Sequence, residues 1–361
     1  MSPLPSHVKI KVDRTSLLET AFASIMAHRP ENLRHTPVVE FAGEQGIDYG
    51  GLRREFFFLL PREILRPDYG LFSSLPQGTI VINPASAMAN PDHLRYFRFF
   101  GRVLGMAIFH QQFVDTAFVP CMYKMMLGRS ITPADVEAID ETVSRSMQYI
   151  LDNDIEEDMG LFFAAEEDVF GELVTIELKP GGKDIAVDNS NKAEYIKLLA
   201  EYTVRGKVKP QLEQLIGGMF EILPPGCLAP FDERELELLL GGIATIDVDD
   251  WEANTVYRDC TKDDELVRWF WKIVRSWSVE QQTKLLQFAT GAARVPVVGF
   301  KGLMGSDGPR QFTILKTGSP ADLPRASSCF NRLCLPPVPY QQTLEQKLLY
   351  AIENTTGFQT D

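Results

Sequence analysis

The chain has 361 residues, 45% of them hydrophobic, and a formal net charge of −13. That length suits two or three packed units better than one, and the hydrophobic share provides for a real core. The acidic balance excludes a nucleic-acid partner, because little here would neutralise phosphates, and it fits a partner with a basic face.

In chain order, the first pattern is helical. Ser16 and Glu19 have capping-box spacing, and Leu18, Phe22, Ile25 and Met26 form an apolar stripe. Short strands are expected at 37–41 and 79–82, and a helix through 96–110. That apolar run is too short to span a bilayer and carries Arg98 and Arg102, so no membrane insertion is expected. Lys9, Lys11 and Asp13 interrupt the only candidate for a signal peptide. A further helical pattern starts at Thr132 as N-cap, with Pro133 in the first turn. It carries Val136, Ile139, Val143, Met147 and Ile150, and reads as one helix or two.

An acidic helical run at 231–240 ends at Gly241 and Gly242, and Asp247, Asp249 and Asp250 follow. This change of composition places a domain boundary near 241–250. Trp251, Trp269, Trp271 and Trp277 all lie beyond it and read as the core of a smaller second domain. That domain reads as two helices, then short strands with turns at Gly305, Gly308 and Gly318. A last helix is expected from Thr343, which has capping-box spacing to Gln346. Leu344, Leu348 and Ile352 stripe it, and Gly357 stops it.

The five cysteines, Cys121, Cys227, Cys260, Cys329 and Cys334, include no Cys-x-x-Cys pair. Neither a disulfide framework nor a zinc site is expected, and a reducing, cytoplasmic setting is the simpler reading. No phosphate loop and no His-x-x-x-His pair is present, so no metal and no cofactor is expected. Cys329 sits in a polar segment between Arg325 and Arg332, and nearby cations favour a thiolate below the usual thiol pKa of about 8.5. It reads as a loop residue leading into a short strand. Taken alone, a lone cysteine is more often structural.

The histidines narrow the chemistry. His7, His28, His35, His93 and His110 are the whole set, so the second domain holds none. A Cys–His hydrolase needs such a base to activate water. Thioester exchange expels a thiolate of similar basicity and needs no metal or strong base. The composition suits acyl relay better than hydrolysis.

The motif Leu323-Pro324-Arg325-Ala326, then Cys329-Phe330-Asn331-Arg332-Leu333 and Leu335-Pro336-Pro337, resembles the active-site motif of HECT-type ubiquitin ligases. Gly46-Ile47-Asp48-Tyr49-Gly50-Gly51 with Arg54-Glu55-Phe56-Phe57-Phe58 resembles the family's N-terminal signature. The run Pro67-Asp68-Tyr69-Gly70-Leu71-Phe72 and the stretches 101–102, 170–171, 177–182 and 285–296 also match, covering essentially the whole chain. The pattern is closest to the branch that carries WW domains.

The resemblance implies an α+β, bilobal fold: a large, mainly helical N-lobe at 1–243, a hinge at 244–250 and a smaller α/β C-lobe at 251–361. It implies ubiquitin, a conjugating enzyme and protein substrates as partners, with Cys329 carrying ubiquitin as a thioester before a substrate lysine takes it. The conjugating enzyme would bind roughly within 132–205, at Met147, Ile150, Tyr195 and Leu199, which read equally as core-facing helical positions. Tyr69 and Phe170 match a non-covalent ubiquitin surface, and plain packing is the competing reading. Asp48 matches an acidic residue that helps the incoming lysine, or it caps its turn. Phe358 matches a C-terminal phenylalanine needed for transfer, or it closes the last helix. Two departures stand out: Ser327-Ser328 where the family has His-Thr, and Cys334 where the branch has Asp. They keep open a degenerate domain that binds conjugating enzyme or ubiquitin without turnover.

Overall fold

The computed structural model describes residues 7–44, 51–76, 78–114, 116, 118–155, 159–169, 172–242, 246–292, 294–296, 298–305 and 308–354, without the side chains of 168, 169, 172 and 329. The fold is α+β. Strand His7–Val12 alternates, with Val8, Ile10 and Val12 buried and the lysines between them in water. Lys9 and Lys11, which break the apolar run, are the outer face of a strand with a period of two. It pairs in parallel with Thr36–Phe41, Val12 lying opposite Phe41. A parallel pair needs a crossover, and helix Leu17–Ala27 supplies it, burying Leu18 and Ile25 with Phe22 and Met26 packed alongside. Ser16 makes no side-chain cap for this helix. A single 3-10 turn, Arg14–Ser16, precedes it, and Asp13 caps that turn by accepting from the Thr15 N–H at 2.8 Å.

The run read at 96–110 is helix His93–Phe109, which crosses Lys209–Ile222 at close range. A Cβ on Gly101 would collide with the Leu215 carbonyl, and one on Gly218 with the Arg98 carbonyl. Arg102 is buried beside this crossing. It donates to Glu221 at 2.6 Å and to the His28 carbonyl at 3.2 Å, as a buried charge must. Residues 132–150 resolve into two helices, Ala134–Glu137 and Glu141–Asp152. Asp140 starts the second, accepting from the N–H groups of Thr142 and Val143 at 3.0 Å each. Strand Ile80–Ile82 pairs with Phe72–Ser74, and Ala164–Val169 with Glu172–Glu177.

Beyond residue 246 a four-stranded sheet runs in the order Arg325–Ser327, Arg332–Leu335, Phe312–Lys316, Thr255–Arg258. The first pair is antiparallel and the others are parallel. Helices Glu265–Ser276, Val279–Thr290 and Gln341–Asn354 accompany it. A capping box of Ser278 and Gln281 opens the middle one, and Gly291 at φ 75° closes it. Trp251 stacks on Phe300 at 4.8 Å and meets Trp271 edge-on. The tryptophans therefore do build this core, with Trp277 buried and Trp269 at its edge. The last helix begins at Gln341, so Thr343 lies inside it rather than capping it; Leu344, Leu348 and Ile352 are buried. Gly357 lies outside the described residues.

The buried apolar side chains form two clusters with no shared member, one drawn from residues 8–240 and one from 246–352. Among the described residues no helix is long and apolar enough to cross a membrane.

Substituting Gly101→Leu is expected to cost about 3 kcal/mol, since no rotamer avoids a neighbouring backbone. Gly217, next to Gly218 on the same helix but facing open space, is the control. Gly217→Ala is expected to gain about 1 kcal/mol. Urea unfolding of both variants measures the contrast.

Candidate active site

Cys329 lies in a single 3-10 turn, Ser328–Phe330, between strands Arg325–Ser327 and Arg332–Leu335. The turn is tight because Asn331 ends it in the left-handed region, at φ 48° and ψ 42°, which asparagine tolerates better than most residues. Asn331 is fully buried. Its backbone N–H returns to the Ser328 carbonyl at 3.2 Å, and its carbonyl accepts from Thr313 at 2.8 Å. Its side-chain amide donates to the carbonyls of Arg310 at 2.7 Å and Met304 at 3.1 Å. The turn is thereby tied to the neighbouring strand and to two loop carbonyls.

Charge reaches this turn from three sides. The guanidinium groups of Arg310 and Arg332 lie over the Phe330 ring, at 4.9 and 5.3 Å from its centre. Of the two arginines that flank Cys329 in sequence, Arg332 is thus engaged with an aromatic face, and Arg325 is exposed at the far end of the strand pair. The third cation comes from a distant segment. Arg54, on helix Gly51–Ile64, donates from Nη1 to the Ser328 carbonyl at 2.9 Å and to Asn331 Oδ1 at 3.0 Å, and also reaches the Thr290 carbonyl. A narrow cavity between the two clusters is lined by Arg54, Phe58 and Gln112 on one side and Thr290, Arg294 and Asn331 on the other.

Three of the other thiols are poorly suited to nucleophilic work. Burial pushes Cys121 up to about 12, and burial also raises Cys227 and Cys260. Cys334 is half-buried on strand Arg332–Leu335, opposite Arg325 rather than beside the turn.

The other anticipated residues divide. Met147 and Tyr195 are buried in the first cluster, and Ile150 and Leu199 pack against its edge. Tyr149, not singled out from the sequence, is 57% exposed. With Thr142, Arg145, Ile150, Met159 and Leu161 it lines an open depression. Its signal was its place on the outer face of an amphipathic helix, which polarity alone does not distinguish from solvated surface. Tyr69 is half-buried, its hydroxyl donating to Glu63 at 2.9 Å; burial and then this carboxylate push the phenol up to about 12. Asp48, Phe170 and Phe358 lie outside the described residues. Among the described residues, no group of three or more His, Cys, Asp or Glu side chains could hold a metal ion.

The model of the HECT-domain (ubiquitin-transferase) family matches residues 58–361. Over 354 residues, 98% of this chain, it is 50% identical to the probable E3 ubiquitin-protein ligase hulA of Aspergillus fumigatus. Over the same length it is 49% identical to the E3 ubiquitin-protein ligase RSP5 of Emericella nidulans. The chain spans 43% of the length of each of these relatives.

Replacing Asn331 tests the support of the turn. Asn331→Gly keeps the backbone conformation and loses the amide bonds, whereas Asn331→Ala loses both. The alanine variant is expected to be less stable than wild type by about 2–3 kcal/mol and the glycine variant by about 1–2 kcal/mol, measured by urea unfolding.

Proposed function

The chain belongs to the HECT-domain family of ubiquitin transferases, and on that premise we propose that it is a ubiquitin-protein ligase with Cys329 as its acyl carrier. The Cys329 thiolate attacks the thioester that joins ubiquitin to a conjugating enzyme, and the enzyme's own thiolate leaves. The neutral amine of a substrate lysine then attacks the new thioester, an amide C–N bond forms as the C–S bond breaks, Cys329 departs as thiolate and the amine's proton passes to solvent. The observation that carries this reading is the Asn331-anchored turn, which puts a motif cysteine at the tip of a strand pair while burial disfavours ionisation at Cys121, Cys227 and Cys260. The first step, exchange of one thioester for another, requires neither a metal nor a strong base.

A two-lobed arrangement supports the relay, because one thiol must meet two partners in turn. The lobes are taken as 1–243 and 251–361 with a hinge at 244–250, and the two separate hydrophobic clusters favour that division. The conjugating enzyme is assigned to helices Glu141–Asp152 and Lys192–Val204. Met147 and Tyr195 would support this surface from within, while Ile150, Leu199 and the exposed Tyr149 offer the contact. A second ubiquitin is assigned to Tyr69 and Phe170 on the resemblance, and Tyr69 is half-buried with its hydroxyl on Glu63. Asp48 and Phe358 are assigned to the lysine-transfer step on the resemblance alone, and the cytoplasm to the location on the cysteine pattern.

The Ser327-Ser328 departure favours one second reading, a domain that binds without turnover. A reductant-sensitive ubiquitin adduct on non-reducing gels decides between them. Cys329→Ala is expected to abolish that adduct and keep the melting temperature; an undiminished adduct on the variant refutes the assignment. Tyr149→Asp is expected to slow charging roughly tenfold by weakening conjugating-enzyme binding, without slowing discharge of adduct already formed. Single-turnover rates of the two steps measure this.

A further inference from the structure

The geometry points to Arg54 as a positioning residue for the second step: its guanidinium latches the Cys329 turn to helix Gly51–Ile64 while the acyl group passes to an amine, and lets go for charging. This inference rests on Cys329 being the acyl carrier.

Three acceptors converge on Arg54 Nη1, and each has a distinct meaning. The Ser328 carbonyl belongs to the peptide bond that joins Ser328 to Cys329, so the 2.9 Å bond orients the peptide plane from which Cys329 leaves. Asn331 Oδ1, at 3.0 Å, belongs to the side chain whose amide already holds the carbonyls of Met304 and Arg310. The cation thus grips the anchored end of the turn. Thr290 is the last residue of helix Val279–Thr290, where carbonyls lack intrahelical partners and the helix dipole is negative. One side chain of the first cluster's frame therefore ties together two places in the second, 236 to 277 residues away in sequence. The apolar clusters on either side are made of other residues.

The latch lies apart from the surface assigned to the donor. Helix Gly51–Ile64 packs mainly on strand Thr36–Phe41 and helices Leu17–Ala27 and His93–Phe109. Helices Glu141–Asp152 and Lys192–Val204 pack on each other and on Ala134–Glu137. A turn gripped by Arg54 is held at the first group, so it serves the step that follows release from the donor. Arg54 touches neither the thioester carbon nor the amine. It holds the turn still, and misplacement by about 1 Å costs on the order of 10²-fold in rate.

The test uses the full chain, a ubiquitin-loaded conjugating enzyme and free lysine, with single-turnover charging and discharge measured separately for wild type, Arg54→Met and Arg54→Lys. Arg54→Met is expected to charge within about twofold of wild type and to discharge roughly tenfold or more slowly, the size of one lost charge-assisted hydrogen bond. The loss is expected in the plateau rate rather than in the lysine concentration giving half of it. Arg54→Lys keeps the charge but not the fork and is expected to fall between. Melting temperatures near wild type accompany this result. Equal slowing of charging and discharge, or unchanged discharge in Arg54→Met, overturns the latch while leaving the acyl carrier in place. A wild-type chain that takes no adduct overturns both.

Discussion

The turn that carries Cys329 depends on Asn331, and most of the site's geometry follows from what that residue must satisfy. A left-handed, fully buried asparagine carries a strained backbone and a polar side chain into the core. Both costs are offset locally. The turn needs the left-handed residue to reverse into strand Arg332–Leu335, and the amide is consumed by two loop carbonyls. Its remaining oxygen accepts from Arg54, so the residue that shapes the turn also offers the handle by which another part of the molecule holds it.

Helix Gly51–Ile64 directs consecutive charged side chains to different partners. Glu55 turns inward and pairs with Arg14, with contacts of 2.6 and 3.0 Å. Burial pushes its carboxyl up, while Arg14 works against that shift. Arg14 also meets Glu44 and lies 4.1 Å above the Phe41 ring. Buried pairs of this kind contribute little net stability, but removing one partner strands the other. They fix the helix in one orientation, and Arg54, one position earlier, inherits that orientation as it reaches toward the turn.

The two departures from the family pattern have different structural weight. Ser327 pairs with Arg332 where the strand pair meets the turn, so a side chain there stands next to the reacting segment. Cys334 pairs with Arg325 two residues further along, roughly 7 Å by the rise of a strand. The serine therefore stands at the turn itself. The second thiol belongs to the flank of the sheet rather than to the turn.

Much of this was legible in the sequence because its causes are local. The strand expected at 37–41 is Thr36–Phe41, helical spacing marked His93–Phe109 and the buried stripe of the last helix, and a polar segment running into apolar residues marked the Cys329 turn. Local signals also misled where two local solutions compete. Ser16 and Thr343 have the spacing of caps, yet Asp13 caps the earlier turn and Gln341 begins the last helix. What the sequence could not decide is which side of a stripe meets a neighbour: Met147 and Tyr195 are buried while Tyr149 is exposed. Nor could it place Arg54 on the Ser328–Cys329 peptide. That contact joins residues 274 positions apart and depends on how distant segments pack, a constraint that leaves no periodic trace along the chain.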